Sequence, residues 1–150
     1  MNRTSTPTVI QVLRAGKMPE TPGAEDGTRA GSGRRILVAD DNRDSAESLG
    51  MLLELAGHRV RLAYDGQEAI DAAGEFLPEV LLLDIGLPRM DGYQVAARLR
   101  QDPRHDGMLL VAVTGYGTES DRDRGRAAGF DHHLVKPVDP VALRELIAGA

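Results

Sequence analysis

Five short runs rich in Val and Leu recur from residue 34 onward, and this repetition limits the possible folds more than any other feature. The runs read RILVA, RVRLA, EVLLL, LLVAV and HHLV, and each is short and apolar enough to form a buried strand. The stretches between them have helical spacing. In the first stretch, four apolar residues at intervals of three and four share one face: Ala46, Leu49, Leu53 and Ala56. Strands that alternate with helices predict an α/β fold, a parallel sheet with helices on both faces.

The predicted helices have recognisable start signals. Asp65 precedes GQEA, Thr118 precedes ESD, and Asp139 stands before Pro140. Glu68 follows Asp65 by three residues, the spacing of a capping box. These signals support helices at the expected places between the strands.

Residues 1–33 differ in composition from the rest of the chain. The stretch GKMPETPGAEDGTRAGSG is rich in Gly, Pro and charge and has hardly any bulky apolar side chain to offset its ordering entropy. We therefore expect a flexible tail or linker at 1–33 and one domain at 34–150. The strand-like TVIQVLR before the linker leaves open that the tail continues an upstream module. The last predicted helix runs to Ala150, so we expect no DNA-binding output domain.

The overall charge and the absence of cysteine exclude several function classes. The chain has 23 Asp and Glu against 18 Lys and Arg, a net charge of −5, which gives no electrostatic footprint for nucleic acid or a membrane surface. Without cysteine there is no disulfide, thiolate metal site or cysteine nucleophile. No apolar run approaches the ~20 residues of a membrane span, and no signal sequence is apparent. We expect a cytoplasmic protein.

Polar side chains follow four of the five predicted strands. They are Asp40 and Asp41 after the first strand, Asp84 after the third, Thr114 after the fourth and Lys136 after the fifth. Ligands of open parallel sheets bind beyond the carboxyl ends of the strands, so we expect these side chains to converge. The second strand contributes none, which predicts that it lies at the edge of the sheet.

Such a cluster favours magnesium and phosphate chemistry. Two carboxylates ~4 Å apart repel by roughly 4 kcal/mol at intermediate dielectric, and each raises the pKa of the other unless a cation lies between them. Mg²⁺ prefers oxygen ligands and sites completed by phosphate. A lysine and a hydroxyl can hold phosphoryl oxygens, and an Asp can accept a phosphoryl group covalently. Each residue alone has a simpler role as a helix cap, turn residue or solvated charge; their coincidence at successive strand ends favours the site.

The segments ILVADDN, VLLLDIGLPRMDG, VAVTGYG and GFDHHLVKPVD closely resemble the receiver domain of two-component response regulators, from Arg34 to Ala150. The resemblance implies a doubly wound, flavodoxin-like, five-stranded parallel sheet of order 2-1-3-4-5. It also implies a signalling phosphoacceptor, not an enzyme, that assists its own phosphorylation and dephosphorylation.

Roles for individual residues follow from this resemblance. Asp84 would accept the phosphoryl group from a phosphohistidine on a histidine kinase or histidine phosphotransfer protein. Asp41, Asp84 and the backbone carbonyl of Gly86 would bind Mg²⁺, and Asp40 would assist.

The resemblance also implies how phosphorylation would be transmitted. Thr114 and Lys136 would contact the phosphoryl oxygens, and the bond between Lys136 and Pro137 would be cis. Movement of Thr114 would reshape the face formed by the fourth helix, fifth strand and fifth helix, which would bind a downstream protein target.

Two departures from the family pattern affect switching and lifetime. His133 stands where receivers usually carry a rotating Tyr or Phe. It could pack as a small aromatic ring, or titrate near ~6.5 and make switching pH-sensitive, and both interpretations stay open. Gly86 and Tyr116 occupy positions that tune water access to the phosphoryl group. Gly opens the site and Tyr could shield it, so the lifetime is not predicted.

Three other functions are disfavoured by particular residues. A haloacid-dehalogenase-type phosphatase needs a second Asp two residues after the first, and Gly86 stands there. For nucleotide or flavin binding, GSGRR precedes the first strand and cannot form the phosphate-binding turn, while TGYGTES would place an anionic cofactor beside three acids. A degenerate, binding-only receiver would have lost phosphorylation residues, and all five positions are filled.

Within the receiver interpretation, two contexts stay open. GFDHHLVKPVDP is more similar to receivers of hybrid histidine kinases than to DNA-binding regulators, and the linker agrees with that. Met1 favours a free-standing single-domain regulator.

Overall fold

The structure, a computed structural model, describes residues 33–115 and 119–150. Strands alternate with helices along the chain: β1 Arg35–Ala39, α1 Arg43–Leu55, β2 Arg59–Ala63, α2 Gly66–Phe76, β3 Val80–Asp84, α3 Gly92–Arg100, a 3₁₀ turn Pro103–His105, β4 Leu109–Thr114, α4 Glu119–Ala128, β5 His132–Val135 and α5 Pro140–Ala148. The tail or linker predicted at 1–33 lies, apart from Gly33, outside the described residues, as do Tyr116 and the helix start predicted at Thr118.

The strands form one parallel sheet of order β2-β1-β3-β4-β5. This confirms the predicted sheet and its order 2-1-3-4-5, and β2 lies at an edge as expected. The register aligns Ala39 with Ala63 on one side and with Leu83 on the other, and Thr114 with Val135. The carboxyl ends of all five strands therefore meet along one edge of the sheet.

Alternate strand residues pack into two separate hydrophobic cores, one on each face of the sheet. On one face, Leu37 and Leu81 pack in a cluster with alanines and other apolar residues of α2 and α3. On the other face, Ile36 and Leu82 pack with apolar residues of α1 and α5. Because side chains alternate along a strand, a continuous apolar run supplies both layers, which confirms helices on both faces.

The predicted helix starts at the two described positions are confirmed. The Asp65 carboxylate accepts a hydrogen bond from the Glu68 amide (2.8 Å), and that of Asp139 accepts one from Val141 (3.0 Å). The Glu68 carboxylate accepts from the amide of Tyr64 rather than from that of Asp65, so this is a cap without the reciprocal bond of a capping box.

Three details differ from the sequence prediction. Ala56 is the exposed C-cap residue beyond α1, and Gly50 lies on the buried face instead, because the helix ends at Leu55. Asp84 and Thr114 are the last residues of β3 and β4, not the residues after them, since both still pair with a neighbouring strand.

Among the described residues, no helix combines the length and apolarity that a bilayer span requires.

Candidate functional site

The carboxyl end of β1 places one buried and one exposed acid. Asp40 is buried, and its amide donates to the carbonyl of Ala63 (3.0 Å), which extends the pairing with β2 by one residue. Its carboxylate accepts from the amide of Asn42 (2.9 Å), and Asn42 in turn caps α1 by accepting from Ser45 (3.0 Å). Asp41 is exposed and stands between Asp40 and Asn42. The helix cap therefore belongs to Asn42 and leaves both acids for the site.

Asp84 is held rigidly at the end of β3. It is buried, and one carboxylate oxygen accepts from the amide of Gly86 (2.9 Å). A Cβ built on Gly86 would lie 3.6 Å from that same oxygen, so residue 86 stands directly beside the Asp84 carboxylate. Gly86, the position expected to tune water access, is thus adjacent to this carboxylate.

Lys136 joins the two buried acids. Its Nζ donates to Oδ2 of Asp84 (3.2 Å) and to Oδ2 of Asp40 (3.4 Å). The backbone fixes this position, because the Lys136 amide donates to the carbonyl of Thr114 (2.8 Å). The peptide bond between Lys136 and Pro137 is cis, the isomer that the resemblance implies.

The charged groups of this pocket shift the pKa values of Asp40 and Lys136. Burial raises the pKa of Asp40; the Asn42 amide opposes this, repulsion from Asp84 adds to it, and Lys136 lowers it again. Burial lowers the pKa of Lys136, but the attraction of Asp84 and Asp40 outweighs burial, and the net pKa lies above its usual value of 10.5. The two buried carboxylates thus act together on the ammonium of Lys136.

The three acids fit a magnesium ion. One oxygen from each of Asp40, Asp41 and Asp84 lies within 4.8 Å of the others. Carboxylate oxygens are the ligands that Mg²⁺ prefers, and its remaining positions are usually filled by water and phosphate oxygens. A cation here would also relieve the repulsion that raises the pKa of Asp40.

The two expected switch residues lie on neighbouring strands beside this pocket. Thr114 is buried at the end of β4 and pairs with Val135. His133 is half-buried in β5, pairs with Ala112 and packs against the ring of Phe130, with centroids 6.1 Å apart. The structure therefore places six of the predicted site residues at the carboxyl edge of the sheet, namely Asp40, Asp41, Asp84, Gly86, Thr114 and Lys136. His133 lies within β5, three residues before Lys136.

Two glycines that the sequence analysis did not single out position the loop between β3 and α3. A Cβ on Gly92 would lie 2.7 Å from Cα of Ile85 and 2.8 Å from the carbonyl oxygen of Asp84, and one on Gly66 would lie 2.9 Å from the carbonyl oxygen of Met90. Each glycine follows an aspartate that caps its helix. The repeated Asp-Gly pair at a helix start is the sequence signal that could have found them.

The sequence matches a family described as response regulator receiver domain over residues 36–148. Among curated relatives, it is 41% identical over 114 residues to the response regulator MprA of Mycobacterium avium, a match that covers 76% of this chain and 48% of MprA. It is 37% identical over 112 residues to an uncharacterized protein of Leptolyngbya boryana, covering 75% of this chain and 86% of that protein. The chain thus spans about half the length of MprA.

Solved receiver structures are similar in fold. The chemotaxis protein CheY4 of Vibrio cholerae is 26% identical, with a TM-score of 0.72 and coverage of 75% of this chain and 94% of CheY4. The receiver domain of sensor histidine kinase PA1611 of Pseudomonas aeruginosa, determined with a magnesium ion in its active-site cleft, is 27% identical, with a TM-score of 0.72 and coverage of 79% and 99%. With its sheet order, its acidic pocket and these matches, the chain belongs to the family of response regulator receiver domains.

Proposed function

We propose that this protein is a phosphoacceptor of a two-component phosphorelay, with Asp84 as the acceptor. The observation that carries the proposal is the pocket itself, in which a buried carboxylate lies 3.2 Å from a lysine ammonium and close to two further acids. A histidine kinase or histidine phosphotransfer protein supplies the phosphoryl group, and a downstream protein target reads the result.

In this proposal Asp84 attacks the phosphorus of the donor. One carboxylate oxygen forms the new O–P bond while the N–P bond of the phosphohistidine breaks, and its electron pair stays on the donor imidazole. This step needs no general base, because a carboxylate oxygen attacks without losing a proton. The Gly86 amide, which donates to the other Asp84 oxygen (2.9 Å), fixes the direction of attack.

The remaining pocket residues stabilise and report the transferred group. Asp40, Asp41, Asp84 and the carbonyl of Gly86 would hold Mg²⁺, which supplies positive charge for the phosphoryl oxygens when it is bound. Lys136 turns from the carboxylates to a phosphoryl oxygen and acts as a fixed point charge. The Thr114 hydroxyl donates to another phosphoryl oxygen, and its movement alters the surface of α4, β5 and α5.

Intact-mass measurement after incubation with Mg²⁺ and acetyl phosphate tests the proposal. We expect one added phosphoryl group on the wild type, none without Mg²⁺ and none on Asp84→Asn. Asp106→Asn, an exposed acid between α3 and β4, is the matched control and should be phosphorylated like the wild type.

A missing adduct has two explanations that a second measurement separates. Beryllofluoride mimics a bound phosphoryl group, so a protein that only loses its phosphate quickly still shows amide shifts around Asp84 when beryllofluoride and Mg²⁺ are added. A protein that is silent in both measurements is a binding module without phosphorylation, and the proposal would be wrong.

A further inference from the structure

The imidazole of His133 occupies the space that a side chain on α4 would fill. Gly125 is buried on the face of α4 that packs against β5. A Cβ built on Gly125 would overlap Cε1 of the His133 ring and lie 2.8 Å from Nε2, closer than real Cβ atoms approach. The backbone of α4 therefore lies so close to the ring that a side chain at residue 125 would force the ring or the helix to move.

The His133 ring belongs to an aromatic cluster of Tyr93, Phe130 and His133, which joins α3, the segment after α4 and β5. The Phe130 and His133 rings are tilted by 55°, and the ring of Phe130 meets that of Tyr93 edge-on, with centroids 6.2 Å apart. Such edge contacts are favourable beyond their buried area. A displacement of the His133 ring is therefore resisted on more than one side.

Arg124, the residue before Gly125, connects α4 to the start of α3. Its guanidinium lies over the ring of Tyr93, 4.1 Å from the centroid, and 3.9 Å from the carboxylate of Asp91. Asp91 caps α3 and directly follows the loop that carries Gly86. The part of α4 that rests on His133 is thus linked to the loop beside the pocket.

The C-terminal end of α4 is attached to different elements. The carbonyl of Gly129 accepts from Nε of Arg100 (3.0 Å), and Arg100 also donates to Asp131 (2.8 Å). Asp131 in turn accepts from the amide of Leu110 in β4 (2.8 Å). This end is fastened to α3 and the sheet by several short hydrogen bonds.

We propose that Gly125 is a positioning residue of the switch: because it has no side chain, α4 rests on the His133 imidazole, and ring and helix move together when the phosphoryl site is filled. The inference rests on the proposed function. Interiors are close-packed and change between discrete arrangements, so a contact this tight transmits a shift of β5 to the helix. A side chain at residue 125 forces ring and helix apart and removes this transmission.

The test is a beryllofluoride titration in the presence of Mg²⁺, followed by amide NMR signals at two places. Signals of Ile85 and Gly86 report occupancy of the pocket, and those of residues 122–128 report the response of α4. In the wild type both groups shift together. In Gly125→Ala the pocket signals still shift, while the shifts of the α4 signals fall to about half of their wild-type size or less. Single substitutions between two linked sites commonly weaken the linkage by this much.

The matched control is Gly74→Ala. Gly74 is also a helical glycine, but the nearest heavy atom to its built Cβ is a terminal nitrogen of Arg104 at 3.6 Å, an ordinary contact. We expect wild-type shifts at both places in this variant. An equal loss in Gly74→Ala would mean that the change in Gly125→Ala reflects the fold and not the contact.

A second pair of variants tests whether the effect of Gly125→Ala on α4 requires the His133 ring. His133→Ala removes the imidazole and should also reduce the α4 shifts while leaving the pocket shifts. Adding Gly125→Ala to His133→Ala should change nothing further, because the new methyl group then has room. A further loss in the double variant would overturn the inference.

The outcomes distinguish this inference from the proposed function. If the wild type responds and Gly125→Ala responds equally at α4, the inference alone is wrong. If the wild-type pocket signals do not shift at all, the proposed function is wrong and the inference falls with it.

Discussion

Single residues decide the electrostatics of the pocket, and Lys136 is the clearest case. Its ammonium lies 3.2 and 3.4 Å from the carboxylates of Asp84 and Asp40, the groups that would also bind a metal ion. Lysine and Mg²⁺ therefore compete for the same negative charge in the free protein. This competition leads to a prediction about metal affinity.

We expect Lys136→Met to bind Mg²⁺ about tenfold more tightly than the wild type, which corresponds to ~1.4 kcal/mol of binding free energy. This is a fraction of the roughly 4 kcal/mol by which two unit charges 4 Å apart interact at intermediate dielectric. The same variant should not accumulate the phosphoryl adduct. Calorimetric Mg²⁺ titration measures the affinity, with Arg144→Met on the exposed side of α5 as control. Unchanged or weaker affinity would show that Lys136 does not oppose the metal.

At Gly92 the absence of a side chain allows the backbone to pack closely against Ile85. Because its Cβ would lie 2.7 Å from the backbone of Ile85, Gly92→Ala should lower the free energy of unfolding by about 1–3 kcal/mol and displace Asp84. Urea denaturation measures the loss. Gly107→Ala is the control, since nothing lies within 4 Å of its built Cβ, and equal stability losses in the two variants would contradict the explanation.

The sequence predicted the charged site residues better than the glycines. Asp40, Asp84 and Lys136 could be found because strand ends in a parallel sheet converge, a rule that needs only the strand positions. The role of Gly125 depends on which atom of a distant segment approaches it. That distance is a property of the packed structure, and no local pattern encodes it.

At the scale of elements, one arginine connects four segments of the chain. Arg100, the last residue of α3, donates to the carbonyls of Gly129 and His105 and to the carboxylate of Asp131. Its side chain also covers Gly129, which has a positive φ of 108° at the end of α4. These bonds attach α3, the 3₁₀ turn and the end of α4 to the sheet.

Arg100→Met should therefore destabilise the domain by about 2–3 kcal/mol, since bonds to charged groups are worth roughly 1.5–3 kcal/mol and the methionine keeps part of the packing. Denaturation with urea measures the difference from the wild type. Arg98→Met, an exposed position on the same helix, should stay within about 0.5 kcal/mol. A loss as large at residue 98 would contradict this account of Arg100.

The elements themselves were predictable, and their ends less so. RVRLA and HHLV coincide with β2 and β5, because apolar runs bounded by polar residues leave little freedom. Asp84 and Thr114 were expected just after their strands and are the last residues inside them. Hydrogen bonding with a neighbouring strand decides that boundary, and the neighbour is unknown from a single run of sequence.

For the whole molecule, two histidines make stability depend on pH. Burial lowers the pKa of His105 below 6.5, with smaller contributions from Asp102, which raises it, and from Arg104 and Arg100. Burial also lowers the pKa of His58, whose Nδ1 accepts from the amide of Arg34 (3.1 Å). The folded state therefore holds both rings neutral where the unfolded state binds protons.

The sign follows from linkage: this stability is present above about pH 6.5 and is lost as pH falls through the lower pKa of the folded state. We expect the free energy of unfolding of His105→Gln to fall less steeply below pH 6.5 than that of the wild type. Denaturation at several pH values measures the slopes. Gln101→Asn, at an exposed position without a titrating group, should keep the wild-type slope; a wild-type slope in His105→Gln would contradict the prediction.

The parallel sheet also sets the order in which the pocket can be assembled. Strand β1 lies between β2 and β3, and the ammonium of Lys136 meets a carboxylate 96 positions earlier in the chain. Since synthesis proceeds from the N-terminus, Asp40 and Asp41 leave the ribosome long before their partners exist. A chain interrupted before β5 has the acids but neither the lysine nor the ring beneath α4. Under the proposed function, competence to accept a phosphoryl group would thus be acquired only by a chain that has been made and folded through its last strand.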